Sequence, residues 1–311
     1  MNYNTTIGIT GVHGFVGGNL RRYFLEKGAR VVGFGRQETS KHTQDMSYQY
    51  FRWELPGTLD NNKPNIDTLV HCASKVSPYG NMQEFYATNV QGTRSAVESY
   101  PAAKHVYIST GSVYTGKKIN IAEESTIDTT QYTTAYEVTK RQAELVIIQK
   151  AAHYCILRPH IIYGPGDTTI IPRLLRAHKS WLRRMIVFGD AQSTVSPVAV
   201  DNLALAVDLG RQDPRNEIYN VVDATNATIF ELLEELRNAG RIHYPYLHVP
   251  VLVGTIGAYV LPLLSKTPLL NKYMLMQLTS PSTLSIHKIT SSLGYLPTIN
   301  YKTHLAQYYR L

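Results

Sequence analysis

A chain of 311 residues, 43% apolar and 17% charged, holds enough hydrophobic material for one large core or two lobes, which excludes a disordered or fibrous protein. Its 31 Lys and Arg against 23 Asp and Glu give a formal net charge of +8, yet the basic residues are mostly scattered and form no tail or stripe of the kind that grips nucleic acid. Cys72 and Cys155 lie far apart in apolar runs and read as buried small hydrophobes, not as a disulfide or metal ligands.

Residues 5–10 read as the first strand, so near residue 1 that no room is left for a signal peptide, and a reducing, cytoplasmic setting is expected. A helix over 19–27 and further strands over 30–35, 48–54, 68–73, 105–109 and 154–158 follow, with helices over 81–100 and 136–152 between them. This alternation predicts an α/β fold, a Rossmann-type doubly wound parallel sheet. Residues 217–222 add one more strand after an insertion that includes 171–180. From about Ala224 the chain reads as mostly helical, over 229–237, 251–264 and 269–276. Residues 1–165, with 189–223 returning to them, are therefore expected to form the dinucleotide-binding domain, and 166–188 with 224–311 a smaller substrate lobe. Residues 249–264 carry no charge, but Pro250 and Pro262 bracket them and they fall short of the roughly 20 residues of a spanning helix. A helix packed in the substrate lobe is expected there, with contact to a membrane surface as the alternative.

Thr10-Gly11-Val12-His13-Gly14-Phe15-Val16-Gly17 joins the first strand to the first helix. Such a turn lets a pyrophosphate sit against backbone N–H groups at the helix N-terminus. The glycines recur every third residue, unlike the common G-x-G-x-x-G, so the placement directly after a strand is what marks a nucleotide site. An acidic residue at the end of the second strand would accept hydrogen bonds from the adenosine ribose; here Gly35 and Arg36 stand instead. An arginine fork suits a 2′-phosphate, which favours NADP and leaves NAD open. Arg36 is alternatively just solvated, and Gln37 or Lys41 could share its role. Glu54 takes either an adenine-side position or that of a rim carboxylate.

Tyr136 and Lys140 are four residues apart on a helix and so share a face, where the cation lowers the phenol pKa toward working pH. Just past the fifth strand, Ser109, Thr110 and Ser112 offer hydroxyls to hold a carbonyl oxygen against that phenol. A cluster of Arg173, Arg176, His178, Lys179, Arg183 and Arg184 reads as a solvated helix face, or as a site for an anionic substrate or membrane surface.

These features resemble the extended short-chain dehydrogenase/reductase family, also called the NAD(P)-dependent epimerase/dehydratase family, over essentially the whole chain. The likeness continues in His71-Cys72-Ala73-Ser74, in Asn89-Val90-Gln91-Gly92-Thr93 and in Leu157-Arg158-Pro159-His160-Ile161-Ile162-Tyr163-Gly164-Pro165-Gly166. The resemblance implies a catalytic set in which Tyr136 is the general acid/base and Lys140 lowers its pKa and holds the nicotinamide ribose. Counting back three residues from Val113, as in the family's motif, selects Thr110 as the third member over Ser109 and Ser112, with Asn89 in a supporting role. It further implies cofactor contacts from Gly11, His13, Gly14, Phe15, Val16, Gly17, Arg36, Glu54, Cys72, Ala73, Ser74, Pro159, His160 and Ile161, besides Tyr136 and Lys140, and substrate contacts from Ser112, His160 and Arg173. The family's habit of pairing through two helices leaves a homodimer open.

Sugar-nucleotide members usually carry an arginine shortly before the Val200-Asp201 motif, and alignment on Gly189-Asp190 places Val195 there, with Arg173, Arg176 or Arg183 as alternative substitutes for it. Val200-Asp201-Asn202-Leu203-Ala204 is similar to the 3β-hydroxysteroid dehydrogenase-like branch. The expected activity is therefore interconversion of a secondary alcohol and a carbonyl by hydride transfer. The alternatives are a nucleotide-sugar epimerase or dehydratase with recycled NAD, and a cofactor-sensing regulator without turnover.

Overall fold

A computed structural model describes residues 5–38, 47–59, 62–116, 118–169, 171–172, 175, 184–265, 268 and 270–309. Seven strands form the central sheet: β1 (Thr6–Thr10), β2 (Arg30–Gly35), β3 (Tyr48–Arg52), β4 (Thr68–His71), β5 (Lys104–Ile108), β6 (His153–Pro159) and β7 (Glu217–Val221). Their spatial order is β3-β2-β1-β4-β5-β6-β7, with every neighbouring pair parallel. The strand order reverses between β1 and β4, so a crevice opens beyond their C-terminal ends, the position where doubly wound sheets bind ligands. The inner strands are apolar without alternation because helices cover both faces. On one face Leu20 and Phe24 of the Phe15–Glu26 helix pack with Leu203 and Val207 of the Val200–Gln212 helix over Ile7, Ile9 and Val106. On the other, Val97, Ala143 and Ile147 cover Tyr107 and Ile156.

Local chemistry sets the helix ends. The Ala135–Lys150 helix opens with a capping box: the Thr134 hydroxyl accepts from the Glu137 N–H while the Glu137 carboxylate accepts from the Thr134 N–H. The single helix expected over 81–100 is instead Met82–Phe85, a π-helical turn at Tyr86–Gln91, and Gly92–Ser99. The helix expected over 269–276 runs Lys272–Thr279, because the Asn271 side chain accepts from the Met274 N–H at 2.9 Å and caps it there.

From Ala224 on the chain is mostly helical, as expected, but short strands not expected from the sequence are added outside the central sheet. Lys118–Ile121, Thr194–Val195, Ala227–Thr228 and Ser282–Leu284 form a four-stranded mixed sheet, and two further parallel pairs join Ile161–Tyr163 to Pro197–Ala199 and Met185–Phe188 to Tyr246–Val249. Strands of two to four residues leave no alternation in sequence to detect. The motif residues Asp201 and Asn202 fasten the C-terminal segment to the sheet. Asp201 accepts from Arg22 at 2.5 Å and from the Tyr308 hydroxyl at 2.7 Å, and Asn202 donates to Asp223 at 2.6 Å and to the Ile299 carbonyl at 2.7 Å.

The Val251–Leu264 helix lies where expected and packs through one face on Phe188, Leu270 and Leu275, but its other face is uncovered. Only Gly254 and Ala258 are buried, and most other side chains face outward. Among the described residues no helix is long and apolar enough to cross a membrane.

Candidate active site

The glycine turn is closed by steric necessity. Gly11 has φ +66°, in the left-handed region, and its carbonyl accepts from the Gly14 N–H at 2.9 Å. A Cβ at Gly17 would lie 2.3 Å from that same carbonyl oxygen, so no other residue fits. Gly14 is the N-cap of the Phe15–Glu26 helix and has no side chain to bond the first-turn N–H groups, which leaves them to an anion. The turn fits a dinucleotide pyrophosphate on these grounds.

Behind it, Thr10 anchors the loop after β4. Its hydroxyl oxygen accepts from the Cys72 and Ala73 N–H groups, both at 3.1 Å, and lies 2.8 Å from His71 Nδ1. The Thr93 hydroxyl donates to the Asn89 carbonyl at 2.6 Å, so it receives its 3.1 Å bond from His71 Nε2–H. His71 Nδ1 then accepts from Thr10, and every donor and acceptor is assigned. Burial pushes the His71 imidazole down to about 3, so it stays neutral. Asn89, on the π-helical turn, accepts from Ser74 Oγ and the Lys75 N–H and donates to the Lys75 carbonyl and Thr139. It ties the loop after β4 to the helix that carries Tyr136. Cys155 is buried and Cys72 half-buried, both as free thiols.

At the adenosine end, His13 Nδ1 and the Tyr50 hydroxyl both stand 3.2 Å from where a Cβ at Gly35 would be, so a longer side chain would crowd them. Arg36 is exposed on the rim. Glu54 is 3.7 Å from Arg52, which also lies 3.6 Å from Glu38, an exposed ion-pair cluster. Lys41 lies outside the described residues.

Lys140 is fully enclosed. Its ammonium donates to the Ile108 carbonyl at 2.6 Å and sits 4.2 Å over the Tyr107 ring. Burial pushes it down to about 7, against the pull of Glu144 and Cys72 toward the charged form. The unfolded chain therefore binds more protons than the folded one between pH 7 and the ordinary lysine pKa. The resulting destabilisation is full below pH 7 and fades as pH rises toward 10. In a Lys140→Met variant, the stability difference from wild type should shift by roughly 3 to 4 kcal/mol between pH 7 and pH 10, in the direction that favours wild type at the higher pH. Urea unfolding at the two pH values measures it, and a pH-independent difference would contradict a buried, depressed lysine.

Tyr136 is half-buried on the same helix face. Of the three hydroxyls after β5, Ser109 donates to Glu144 at 2.6 Å and Ser112 meets the Tyr273 hydroxyl at 3.0 Å, across the crevice. Thr110 Oγ1 accepts from the Ser112 N–H at 3.2 Å, a bond that leaves its own proton unused.

Sequence reasoning missed one group in this site. Glu144, one turn beyond Lys140, is buried and receives both Nε and Nη2 of Arg158 at 2.8 Å, as well as Arg141 at 2.8 Å and Ser109. Burial opposes its charge, but the bidentate Arg158 fork outweighs that and holds the carboxyl below its usual range. Arg158 also donates to the Tyr114 hydroxyl at 2.8 Å. The available signal was a Lys-x-x-x-Glu spacing followed by an arginine inside the apolar β6.

On the substrate side, His160 lies beside Gly111, and burial pushes its imidazole down to about 4. Pro159 ends β6, and Ile161 begins the short strand that follows it. Val195 is wholly buried on its own short strand, so this position presents an aliphatic side chain to the core. Arg173, Arg176, His178, Lys179 and Arg183 lie outside the described residues, while Arg184 is exposed.

A doubly wound sheet with a glycine turn at its first crossover and a tyrosine–lysine helix facing the crevice defines a nicotinamide-dependent enzyme of the extended short-chain dehydrogenase/reductase type. The model of the NAD dependent epimerase/dehydratase family matches residues 7–222, and the chain belongs to that family. It is 26% identical to 2-alkyl-3-oxoalkanoate reductase of Stenotrophomonas maltophilia, over 94% of this chain and 94% of that protein. It is 24% identical to sterol-4-alpha-carboxylate 3-dehydrogenase, decarboxylating, of Mus musculus, over 82% of this chain and 74% of that one. UDP-glucuronic acid 4-epimerase from Bacillus cereus, in complex with NAD, shares the fold at TM-score 0.74 and 19% identity, covering 98% of this chain and 97% of that one.

Proposed function

We propose that the protein is an NADP-preferring reductase or dehydrogenase that interconverts a secondary alcohol and a ketone on a predominantly apolar substrate. The observation that carries this reading is Val195, a buried aliphatic residue at the position where sugar-nucleotide enzymes of the family hold the arginine that grips pyrophosphate. The reductase likeness over nearly the full length of both chains supports it. A bound nicotinamide supplies the hydride in reduction and accepts it in oxidation. Tyr136 gives its phenol proton to the nascent alkoxide, or takes it back in the reverse direction. Thr110 directs its unused O–H toward the same oxygen and so stabilises the charge that develops there. Lys140, when protonated, lowers the Tyr136 pKa, and Asn89 holds the two elements in register.

Arg36 is the residue proposed to read the 2′-phosphate. An Arg36→Ser variant is expected to lose about 10- to 100-fold in its preference for NADPH over NADH, measured as a ratio of Kd values by fluorescence titration. An unchanged ratio would assign Arg36 to solvent.

The second reading, a nucleotide-sugar epimerase or dehydratase, draws on the fold shared with those enzymes. Mass spectrometry of nucleotide released on denaturing fresh protein separates the two. Near-stoichiometric NAD would favour the epimerase reading. An empty protein that binds added NADPH more tightly than NADH would favour a cofactor exchanged at each turnover.

A further inference from the structure

The Val251–Leu264 helix exposes Leu252 at 72%, Ile256 at 59%, Leu263 at 84% and Leu264 at 76% of their free surface. Tyr259 and Val260 extend the same surface. The face turned to the protein is made of small residues. Gly254 closes on Phe188 and Leu275, and Gly257 on Leu270. A soluble helix buries its large apolar residues and exposes polar ones; here the pattern is inverted. The fourteen residues span about 21 Å, too short to cross a bilayer.

A second observation comes from the charges. All 23 acidic residues lie at or before Glu235, while seven of the 31 Lys and Arg follow it. The last 76 residues thus hold +7 of the formal +8, and the first 235 are nearly neutral. Three of the seven are paired with acids of the earlier chain, Arg237 with Glu234, Lys288 with Glu217 and Lys302 with Glu231, while Lys272 opens the next helix exposed beside the Val251–Leu264 helix.

We propose that this helix is a peripheral docking element that lies in the interfacial layer of an anionic lipid bilayer, its apolar side chains among the acyl chains and the acid-free C-terminal region against the headgroups. The chemistry favours lipid over a second copy of the chain. Protein interfaces carry a hydrogen bond per 100–200 Å² and a polar rim. The outward face of this helix offers only the Tyr259 phenol and Thr255, whose hydroxyl is bonded back to the Val251 carbonyl at 2.9 Å. Acyl chains require no such partners, and anionic headgroups reward the net positive charge of the C-terminal segment, with exposed Lys272 beside the helix. The helix packs on the Lys272–Thr279 helix, whose Tyr273 reaches Ser112 in the crevice, so docking would set the substrate side of the site at the membrane surface.

The test is co-sedimentation of the purified 311-residue chain with vesicles of 3:1 phosphatidylcholine and phosphatidylglycerol, against vesicles of phosphatidylcholine alone. The expected result is binding at least ten-fold stronger to the anionic vesicles, weakened by raising NaCl from 0.05 to 0.5 M. A triple variant Ile256→Ser, Leu263→Ser, Leu264→Ser should bind at least ten-fold less while keeping wild-type circular dichroism and Tm, since the three side chains support no core. Equal binding by wild type and variant would overturn the proposal, as would equal affinity for the two vesicle types. So would a concentration-dependent dimer in sedimentation equilibrium that the variant abolishes, without vesicle binding, since the face would then belong to a second copy.

Discussion

Replacing Tyr136 by phenylalanine is expected to lower kcat by about 10²- to 10⁴-fold and to leave the Kd for nicotinamide cofactor within about twofold. The ring is retained and only the oxygen that moves the proton is removed. On the proposed reading, hydride transfer to a carbonyl would otherwise leave an alkoxide that the Thr110 hydroxyl can stabilise but nothing protonates. Steady-state kinetics on any secondary alcohol or ketone found to turn over, together with fluorescence titration of NADPH, give the two numbers. Full activity in the variant would remove Tyr136 from the chemistry. A loss confined to cofactor affinity would recast it as a binding residue.

The second large effect concerns the buried ion pair. Glu144→Ala should destabilise the fold by about 3 to 5 kcal/mol, because it strands the Arg158 guanidinium, 1% exposed, without its carboxylate. Replacing both partners by apolar residues of similar length, Glu144→Leu with Arg158→Met, is expected to return to within about 2 kcal/mol of wild type, since the charge is removed along with its partner. Urea unfolding of the single and double variants measures this. A single variant that loses under about 1 kcal/mol would mean that water or Tyr114 satisfies Arg158 unaided. Because Ser109 bonds the same carboxylate, the pair also holds the backbone next to Thr110.

The sheet and its glycine turn were legible because their signals are local: a strand, three glycines at fixed spacing and a helix follow one another within about twenty residues. Tyr136 and Lys140 were legible for the same reason, since i and i+4 share a face on any helix. What escaped depends on distant partners. Glu144 and Arg158 meet only because the helix packs beside β6, and the one local hint, an arginine inside an apolar strand, does not say which acid it meets. The strand pairs outside the central sheet are too short for alternation, and their partners lie tens of residues away. For residues 251–264, hydropathy reported that the segment is apolar but not which side of the molecular surface it occupies. The expectation of a packed helix held for one face only: Gly254, Ala258 and Leu261 pack on Phe188, Leu270 and Leu275, while the opposite face stays exposed.

The hydrogen bonds running from the loop after β4 through Thr10, His71 and Thr93 to Asn89 have a polarity, each group donating to the next from the loop N–H groups and onward in one sense at His71 and Thr93. With His71 neutral, this anchor of the loop after β4 carries no charge of its own. Discrimination between two cofactors that differ by a phosphate dianion therefore has no purchase there. On the reading proposed above it would fall to the periphery, where the end of β2 meets solvent and Arg36 is exposed, so a change of cofactor choice is expected from altering that lip alone.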